Sequence, residues 1–150
     1  MTNKISKYFS LDEFTRSQTA TRLGIDNTPS LTVIANLQNL ANNLLDPLRA
    51  QVGIVQVSSG YRSPLLNSKI GGTKNSQHCM GQAADITVPG MSNYDLACLI
   101  RDKFMFDQCI LEFKDWVHVS LVMVPSMNRK QSLTARKENG QKVYLPGILK

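Results

Sequence analysis

The stretch Gln-Cys-Ile-Leu-Glu-Phe-Lys-Asp-Trp-Val-His-Val-Ser occupies residues 108–120 and decides the class of the fold. Both of its ends are rich in apolar, aromatic and β-branched residues, and Lys114-Asp115 lies between them. This pattern predicts two strands, over 108–113 and 116–124, joined by a tight turn. A connection this short joins antiparallel strands, because parallel strands need a long crossover. The stretch therefore predicts an antiparallel sheet.

Further elements are predicted on the N-terminal side of these strands. Apolar residues recur at steps of three and four after Pro29, which predicts an amphipathic helix over about 30–50, bent or ended near Pro47. Capping residues and alternating patterns predict helices at 11–16, 64–70 and 93–103, and strands at 54–58 and 83–88. Helices gather early and strands late, which predicts an α+β fold with helices packed on one face of a small antiparallel sheet.

The composition is that of one globular domain. The chain has 150 residues, of which 42% are hydrophobic and 19% are charged, which excludes a disordered or fibrous protein. No run approaches the ~20 apolar residues of a transmembrane helix, and residues 1–7 do not resemble a secretory signal peptide. Three cysteines without a CxxC pair indicate synthesis in a reducing compartment. We therefore expect a monomer that is made in the cytoplasm.

Positive charge is concentrated at the C-terminal end of the chain. Residues 129–150 carry six basic side chains against one acidic side chain, within a net charge of +6 for the whole chain. Such a segment favours a polyanion, such as an anionic cell wall, or is simply a solvated terminal segment. Because few aromatic residues are interleaved and no nucleic-acid motif is present, we expect no nucleic-acid partner. We divide the domain into residues 1–124 and a basic extension over 125–150.

The two histidines of the chain, His78 and His118, stand in contexts that indicate a metal site. Residues 76–85 read Ser-Gln-His-Cys-Met-Gly-Gln-Ala-Ala-Asp, so Asp85 follows His78 by seven residues, with small residues between them. His118 lies within a predicted strand and shares a face with Trp116. Either histidine alone is as consistent with a structural role. Two imidazole nitrogens and one carboxylate are, however, a usual ligand set for catalytic zinc.

Hydrolysis at such a centre also needs a general base and a group that stabilises the oxyanion. Glu112 ends the strand that pairs with the strand of His118, so it can approach the same site. Arg62 lies in the turn after the strand at 54–58 and can offer its fork of donors to a carbonyl or a carboxylate.

Three neighbours of these residues are candidates for substrate binding. Tyr61 can line a cleft or pack in the interior. Ser76 can orient a ligand or shape its loop. Trp116 can form a wall of the site or stack on the substrate.

Three segments resemble the D-alanyl-D-alanine carboxypeptidase family of zinc peptidases. They are Ser-Gly-Tyr-Arg-Ser at 59–63, Ser-x-His-x-x-Gly-x-Ala-x-Asp at 76–85 and Trp-Val-His-Val-Ser at 116–120. The family includes phage endolysins that cut the L-Ala–D-Glu bond, and it shares its fold with the hedgehog signalling domain. The resemblance runs in order from Phe9 to Ser120. It implies a hedgehog/DD-peptidase-like fold, with residues 1–124 as the catalytic domain.

The resemblance also assigns roles to residues. It implies that His78, Asp85 and His118 bind Zn²⁺ and that Arg62 stabilises the oxyanion or a substrate carboxylate.

Two acids compete for the role of general base. Some relatives place a glutamate three residues before the last histidine, where this chain has Asp115, and others place an acid six residues before it, which is Glu112. An aspartate on a tight turn reaches less far, and Ile-Leu-Glu-Phe is typical of the closer relatives. We therefore favour Glu112, and Asp115 is otherwise a turn residue that caps its own backbone.

The activity implied by the resemblance is zinc-dependent hydrolysis of a bond in the peptidoglycan stem peptide, as a D-Ala-D-Ala carboxypeptidase or an L-Ala-D-Glu endopeptidase. The lack of a signal peptide suits a phage or prophage lytic enzyme that is made in the host cytoplasm and acts on the wall after release. A virion-associated peptidase or a bacterial remodelling enzyme also fits. The alternatives are a non-catalytic zinc module of the same fold and a peptidase that acts on ordinary peptides.

Overall fold

The computed structural model describes residues 3–150 and has an α+β fold built on a six-stranded sheet. Met1 and Thr2, the first residues of the segment 1–7 that does not resemble a signal peptide, lie outside the described residues. The helices are α1 (Leu11–Thr15), α2 (Gln18–Leu23), α3 (Leu31–Leu40), α4 (Asp46–Val52), α5 (Pro64–Lys69) and α6 (Asn93–Lys103). The strands are β1 (Gln56–Ser59), β2 (Ala83–Thr87), β3 (Gln108–Glu112), β4 (Trp116–Ser120), β5 (Gln131–Glu138) and β6 (Gln141–Pro146).

The sheet has the strand order β1-β2-β4-β3-β5-β6. All neighbouring strands are antiparallel except β3 and β5, which are parallel. The predicted fold class is therefore confirmed, with one parallel pair added. The predicted hairpin is also present, but β4 ends at Ser120 rather than near Val124, and its turn spans residues 113–115.

The long predicted helix is present as a helical run from Leu31 to Val52 with an irregularity before Pro47. A π-helical turn, Ala41–Leu45, joins α3 to α4, and the N–H of Asp46 donates to the carbonyl of Ala41, five residues back. Pro47 has no N–H to donate and its ring crowds the preceding turn, so a wider turn accommodates it without ending the helix.

The core lies between the helices and one face of the sheet. Alternate residues of β2, β3 and β4 enter it together with leucines of the long helical run and the apolar face of α6. The fully buried residues in this layer include Leu37, Leu40, Leu44, Leu48, Ile86, Leu96, Ile100, Leu111 and Val119. Each such leucine or isoleucine stabilises the fold by about 1.5–3 kcal/mol relative to an exposed one. The intervening strand residues point to the opposite face, where the candidate site lies.

Residues after Val124 form a hairpin that the sequence analysis did not predict. Strand β5 adds to the edge of the sheet beside β3, and β6 pairs with β5. The turn between them is Asn139-Gly140, with φ values of +52° and +77°. This is the geometry of a type I′ turn, for which Asn-Gly is the strongest short-range signal. An interpretation from charge alone overlooked that signal.

No helix within residues 3–150 combines the length and the apolar character needed to cross a membrane.

Candidate metal centre and cleft

Three elements bring the predicted ligands together. Asp85 on β2 lies directly opposite His118 on β4, and a 3₁₀ turn, Gln77–Met80, delivers His78 just before β2 begins. His78 Nε2 lies 3.3 Å from Asp85 Oδ1, and His118 Nδ1 lies 3.2 Å from the same oxygen. All three side chains are buried, and their donor atoms lie within 4.8 Å of one another. The arrangement could hold one metal ion.

The two contacts between Asp85 and the histidines have the spacing of ligand atoms in a tetrahedral metal site. Zinc binds imidazole nitrogen and carboxylate oxygen at about 2.0–2.2 Å, which places neighbouring ligand atoms about 3.3–3.6 Å apart. The two contacts to Asp85 match the short end of this range. His78 Nδ1 lies 2.7 Å from the carbonyl oxygen of Gly60, which can only accept, so Nδ1 carries the proton. Nε2 of His78 is then free to bind a metal.

Asp85 is held in the ionised form that a metal requires. Without a metal ion, burial alone would raise the pKa of Asp85, but the charge of His78 and the hydrogen bonds from both histidine rings outweigh it. The pKa of Asp85 therefore lies well below its usual range. A bound metal ion would take the place of these protons and supply the positive charge instead. Metal affinity depends on deprotonated ligands, so this carboxylate needs no proton release near neutral pH.

The turn that carries His78 is fixed by local backbone geometry. Ser76 Oγ accepts a hydrogen bond from the N–H of His78 at 3.2 Å. Gly81 ends the turn with a φ of +74°, and a Cβ at this position would lie 2.6 Å from the carbonyl oxygen of Val33 on α3. The turn can pack this closely against the main helix only with glycine at position 81.

Arg62 lies next to the candidate ligands. Its backbone N–H donates to the carbonyl of His78 at 3.1 Å. Its side-chain Nε is buried and has no hydrogen-bond partner within the described part of the chain. Burial lowers the pKa of Arg62, although the nearby Asp85, Cys79 and Glu112 oppose this effect. A buried donor without a partner is suited to an oxygen atom of a bound molecule.

A cleft of about 840 Å³ opens beside these residues. Asp85, Arg62, Tyr61 and Trp116 line it, and Trp116 Nε1 is a second buried donor without a partner among residues 3–150. Ser76 is not among the residues that line the cleft. The structure thus brings Tyr61 and Trp116 to the cleft, whereas the hydroxyl of Ser76 shapes the turn.

Helix α2, which the sequence analysis missed, forms part of the cleft wall. Ser17 caps its start by accepting from the N–H of Ala20, and Gly24 ends it with a φ of +68°. A serine N-cap and a C-terminal glycine were the available signal. The residues that this region contributes to the cleft are Arg16, Ser17, Gln18, Thr19, Thr21 and Arg22.

The two candidate bases occupy different positions. Ile110 lies opposite His118, and Glu112, two residues later on β3, shares its face. Glu112 is buried, with 8% of its surface exposed. Asp115 lies exposed in the turn, and its N–H donates to the carbonyl of Glu112 at 2.9 Å. Of the two acids, Glu112 is the one on the face of the metal ligands.

A second missed group connects the C-terminal segment to the turn of His78. Asp107 is buried and accepts from Arg129 Nε at 3.0 Å and from Gln77 Nε2 at 2.9 Å. The hydrogen bonds from Arg129 lower the pKa of Asp107 to about 2. Since Gln77 precedes His78, this network helps to hold the ligand turn.

Comparison with known families gives a match over most of the chain. The family described as Peptidase M15 matches residues 7–120, a segment that contains the three candidate ligands, Arg62 and Glu112 and that ends before the C-terminal hairpin. A comparison with curated proteins finds no match. The family match confirms the resemblance noted from the three sequence motifs. The chain belongs to the peptidase M15 family.

Proposed function

We propose that the protein is a zinc-dependent peptidase that hydrolyses a bond in the peptide stem of peptidoglycan. The observation that carries this proposal is the convergence of His78, Asp85 and His118 beside an open cleft. Two nitrogen donors and one carboxylate leave a coordination position for water, as catalytic zinc sites do and closed structural sites do not.

The residues around the ligands can supply the remaining chemistry. A bound zinc ion acts as a Lewis acid and lowers the pKa of its water toward neutrality. Glu112 is the proposed base, which accepts a proton from the attacking water and returns it to the leaving amine. Arg62 has no hydrogen-bond partner for its Nε–H within residues 3–150, and it offers this donor and its charge to the oxygen that becomes negative, or to a substrate carboxylate. Tyr61 and Trp116 form walls that orient the peptide.

The charge of the cleft supports an acidic peptide as the substrate. Arg16, Arg22 and Arg62 all line it. Among the described residues that line it, Asp85 is the one acid, and it is engaged with two histidines. Peptidoglycan stem peptides carry several carboxylates, which such a cleft would attract. Exposed lysines of the C-terminal hairpin would add a salt-sensitive attraction to an anionic wall.

We place this activity in a phage or prophage lytic enzyme that is made in the host cytoplasm and acts on the wall after release. A virion-associated wall peptidase would catalyse the same reaction. It would act on the wall from the phage particle and not after release from the host cytoplasm. For the lytic enzyme and for the virion-associated peptidase alike, we expect a monomer that acts on a peptide substrate.

The test is mass spectrometry of purified peptidoglycan fragments after incubation with the zinc-loaded protein. A chelated sample and the E112Q variant serve as controls. Chelator-sensitive loss of a terminal alanine would identify a carboxypeptidase. Cleavage of the first bond of the stem peptide, between L-Ala and D-Glu, would identify an endopeptidase. If the fragments remain unchanged although zinc is bound, the proposal is wrong and a non-catalytic zinc module is the better interpretation.

A further inference from the structure

The C-terminal hairpin brings a lysine to the candidate base. Lys142 Nζ on β6 lies 3.3 Å from Glu112 Oε2 on β3. The two strands are not neighbours, because β5 lies between them. At about 4.8 Å between adjacent strands, their backbones are about 10 Å apart. The contact therefore spans the full width of β5.

The sheet register shows how this span is possible. Glu112 lies opposite Ala135 on β5, and Ala135 lies opposite Tyr144 on β6. Lys142 is two residues from Tyr144, so it points to the same face as Glu112. Ala135 is fully buried beneath this contact, and its small side chain leaves room for the lysine to cross. A larger residue at 135 would stand between the two charges.

Two aromatic rings flank the lysine ammonium. Lys142 Nζ lies 5.5 Å from the ring centroid of Phe113 and 4.9 Å from that of Tyr144. Both distances are within the range of cation–π attraction. The backbone of Phe113 has a φ of +54°, a conformation that bulky residues rarely adopt, and its ring lies beside the ammonium. Burial lowers the pKa of Lys142, but Tyr144 and Glu112 together raise it above its usual value, so the ammonium stays charged.

The Glu112 carboxylate has few other restraints. Within residues 3–150, its ion pair with Lys142 is the one salt bridge or side-chain hydrogen bond that it forms. A glutamate has three rotatable side-chain bonds, and a general base must stand within hydrogen-bond reach of the proton that it removes. A contact that fixes the carboxylate in one position should therefore increase kcat.

We propose that Lys142 is a positioning residue for Glu112 and that the C-terminal hairpin is thereby part of the active site. This inference rests on the proposed function, since it takes Glu112 as the base. The hairpin lies beyond residues 7–120 that match the family, so the family match assigns no role to Lys142. Lys142 acts through Glu112 and need not touch the substrate.

The experiment compares the variants K142M and K142R with the wild-type protein, all full-length and zinc-loaded. K142M removes the charge and keeps most of the side-chain length, whereas K142R keeps the charge. The matched control is K137M, because Lys137 lies opposite Lys142 on the same hairpin and is exposed. Thermal denaturation identifies any variant that fails to fold, and K142Q replaces K142M in that case.

For the peptidase reaction, we expect K142M to lower kcat about tenfold, a part of the about 10²–10⁴-fold that a general base contributes. With a soluble stem peptide as the substrate, so that attraction to an anionic wall plays no part, KM and zinc content should remain unchanged. K142R should recover most of the rate, and K137M should behave as the wild type. An unchanged or increased kcat in K142M would overturn the proposal, as would an equal loss in K137M.

Crystal structures of zinc-loaded wild-type and K142M proteins give a readout that does not depend on turnover. We expect the Glu112 carboxylate to leave its position or to occupy several positions in K142M. If it keeps a single, unchanged rotamer, Lys142 does not position it and the inference fails. If the wild-type protein cleaves no peptide, the proposed function fails, but the crystal structures still decide whether Lys142 fixes Glu112.

Discussion

Replacing Gly81 by alanine should destabilise the protein and weaken its metal site at the same time. Gly81 has a φ of +74°, and a Cβ there would lie 2.6 Å from the carbonyl oxygen of Val33 and 2.9 Å from its Cγ1. The left-handed backbone alone costs alanine about 1–2 kcal/mol. Relieving the contact with α3 adds about 1–3 kcal/mol, the usual cost of overpacking. We therefore expect G81A to lose about 2–5 kcal/mol of unfolding free energy.

Gly90 provides a matched control for the backbone part of this cost. Its φ is +82°, and a Cβ at this position would meet nothing within 4 Å. G90A should therefore lose only the about 1–2 kcal/mol of the left-handed conformation. Urea denaturation of the chelated proteins measures both losses, provided that the m values agree. The difference between the variants isolates the contact between the ligand turn and α3.

The same pair of variants tests whether this contact positions His78. Relief of the clash must move either α3 or the turn, and the turn carries His78 three residues before Gly81. Zinc titration against a competing chelator should therefore show weaker binding in G81A than in G90A. If G81A is no less stable than G90A, the close packing of the turn against α3 does not exist in solution. Equal zinc affinities would show that the packing does not position the ligand.

The remaining predictions concern the ligands, the base and the buried acid of the second network. His78→Ala or His118→Ala should abolish tight zinc binding, measured by metal analysis after dialysis, and a variant that retains one tightly bound zinc would refute the ligand assignment. E112Q should retain zinc and lose about 10²–10⁴-fold in kcat, whereas D115N should remain active; the opposite result would move the base to Asp115. Asp107→Asn should destabilise the protein at pH 7, because the folded-state pKa of about 2 lies below the ordinary value of about 3.9. This stabilisation is complete above the unfolded pKa and is lost as pH falls toward 2, so the difference in urea midpoints should shrink between about pH 4 and pH 2.

The parts of the site that could be predicted from the sequence depend on local patterns. His78 and Asp85 are seven residues apart, and the turn and strand that separate them can be predicted from their own residues. His118 lies in an alternating strand whose partner is joined by a three-residue turn. In such cases the alternation of side chains along a strand, together with the length of the turn, determines on which face of the sheet a side chain lies. The family motifs then supplied what spacing alone left open.

The contacts that escaped prediction depend on pairing between distant segments. Lys142 reaches Glu112 only because β5 joins β3 in parallel, in a register that places the small Ala135 between them. Nothing near Lys142 in the chain specifies that register, since it depends on the burial of one face of the added strands. Even the Asn-Gly turn predicts only that β5 and β6 pair with each other, and not where the hairpin attaches to the sheet.

The charge of the basic C-terminal segment suggests attraction to a polyanion, but in the folded protein two of its cations make contacts around the candidate site. Arg129, at its start, binds the buried Asp107, which in turn accepts a hydrogen bond from Gln77 at the start of the metal-ligand turn. Lys142, near its end, pairs with Glu112 on the other side of the same site. Two of its cations pair with buried acids: Arg129 with Asp107, which contacts Gln77 in the metal-ligand turn, and Lys142 with Glu112, the proposed base. Both cations remain partly exposed, but a segment that only attracts an anionic wall would not need to pair them with buried acids, since exposed charges attract polyanions at long range without such partners. We therefore infer that the segment serves the chemistry of the site first, and that its remaining exposed lysines are the ones available for electrostatic attraction to the wall.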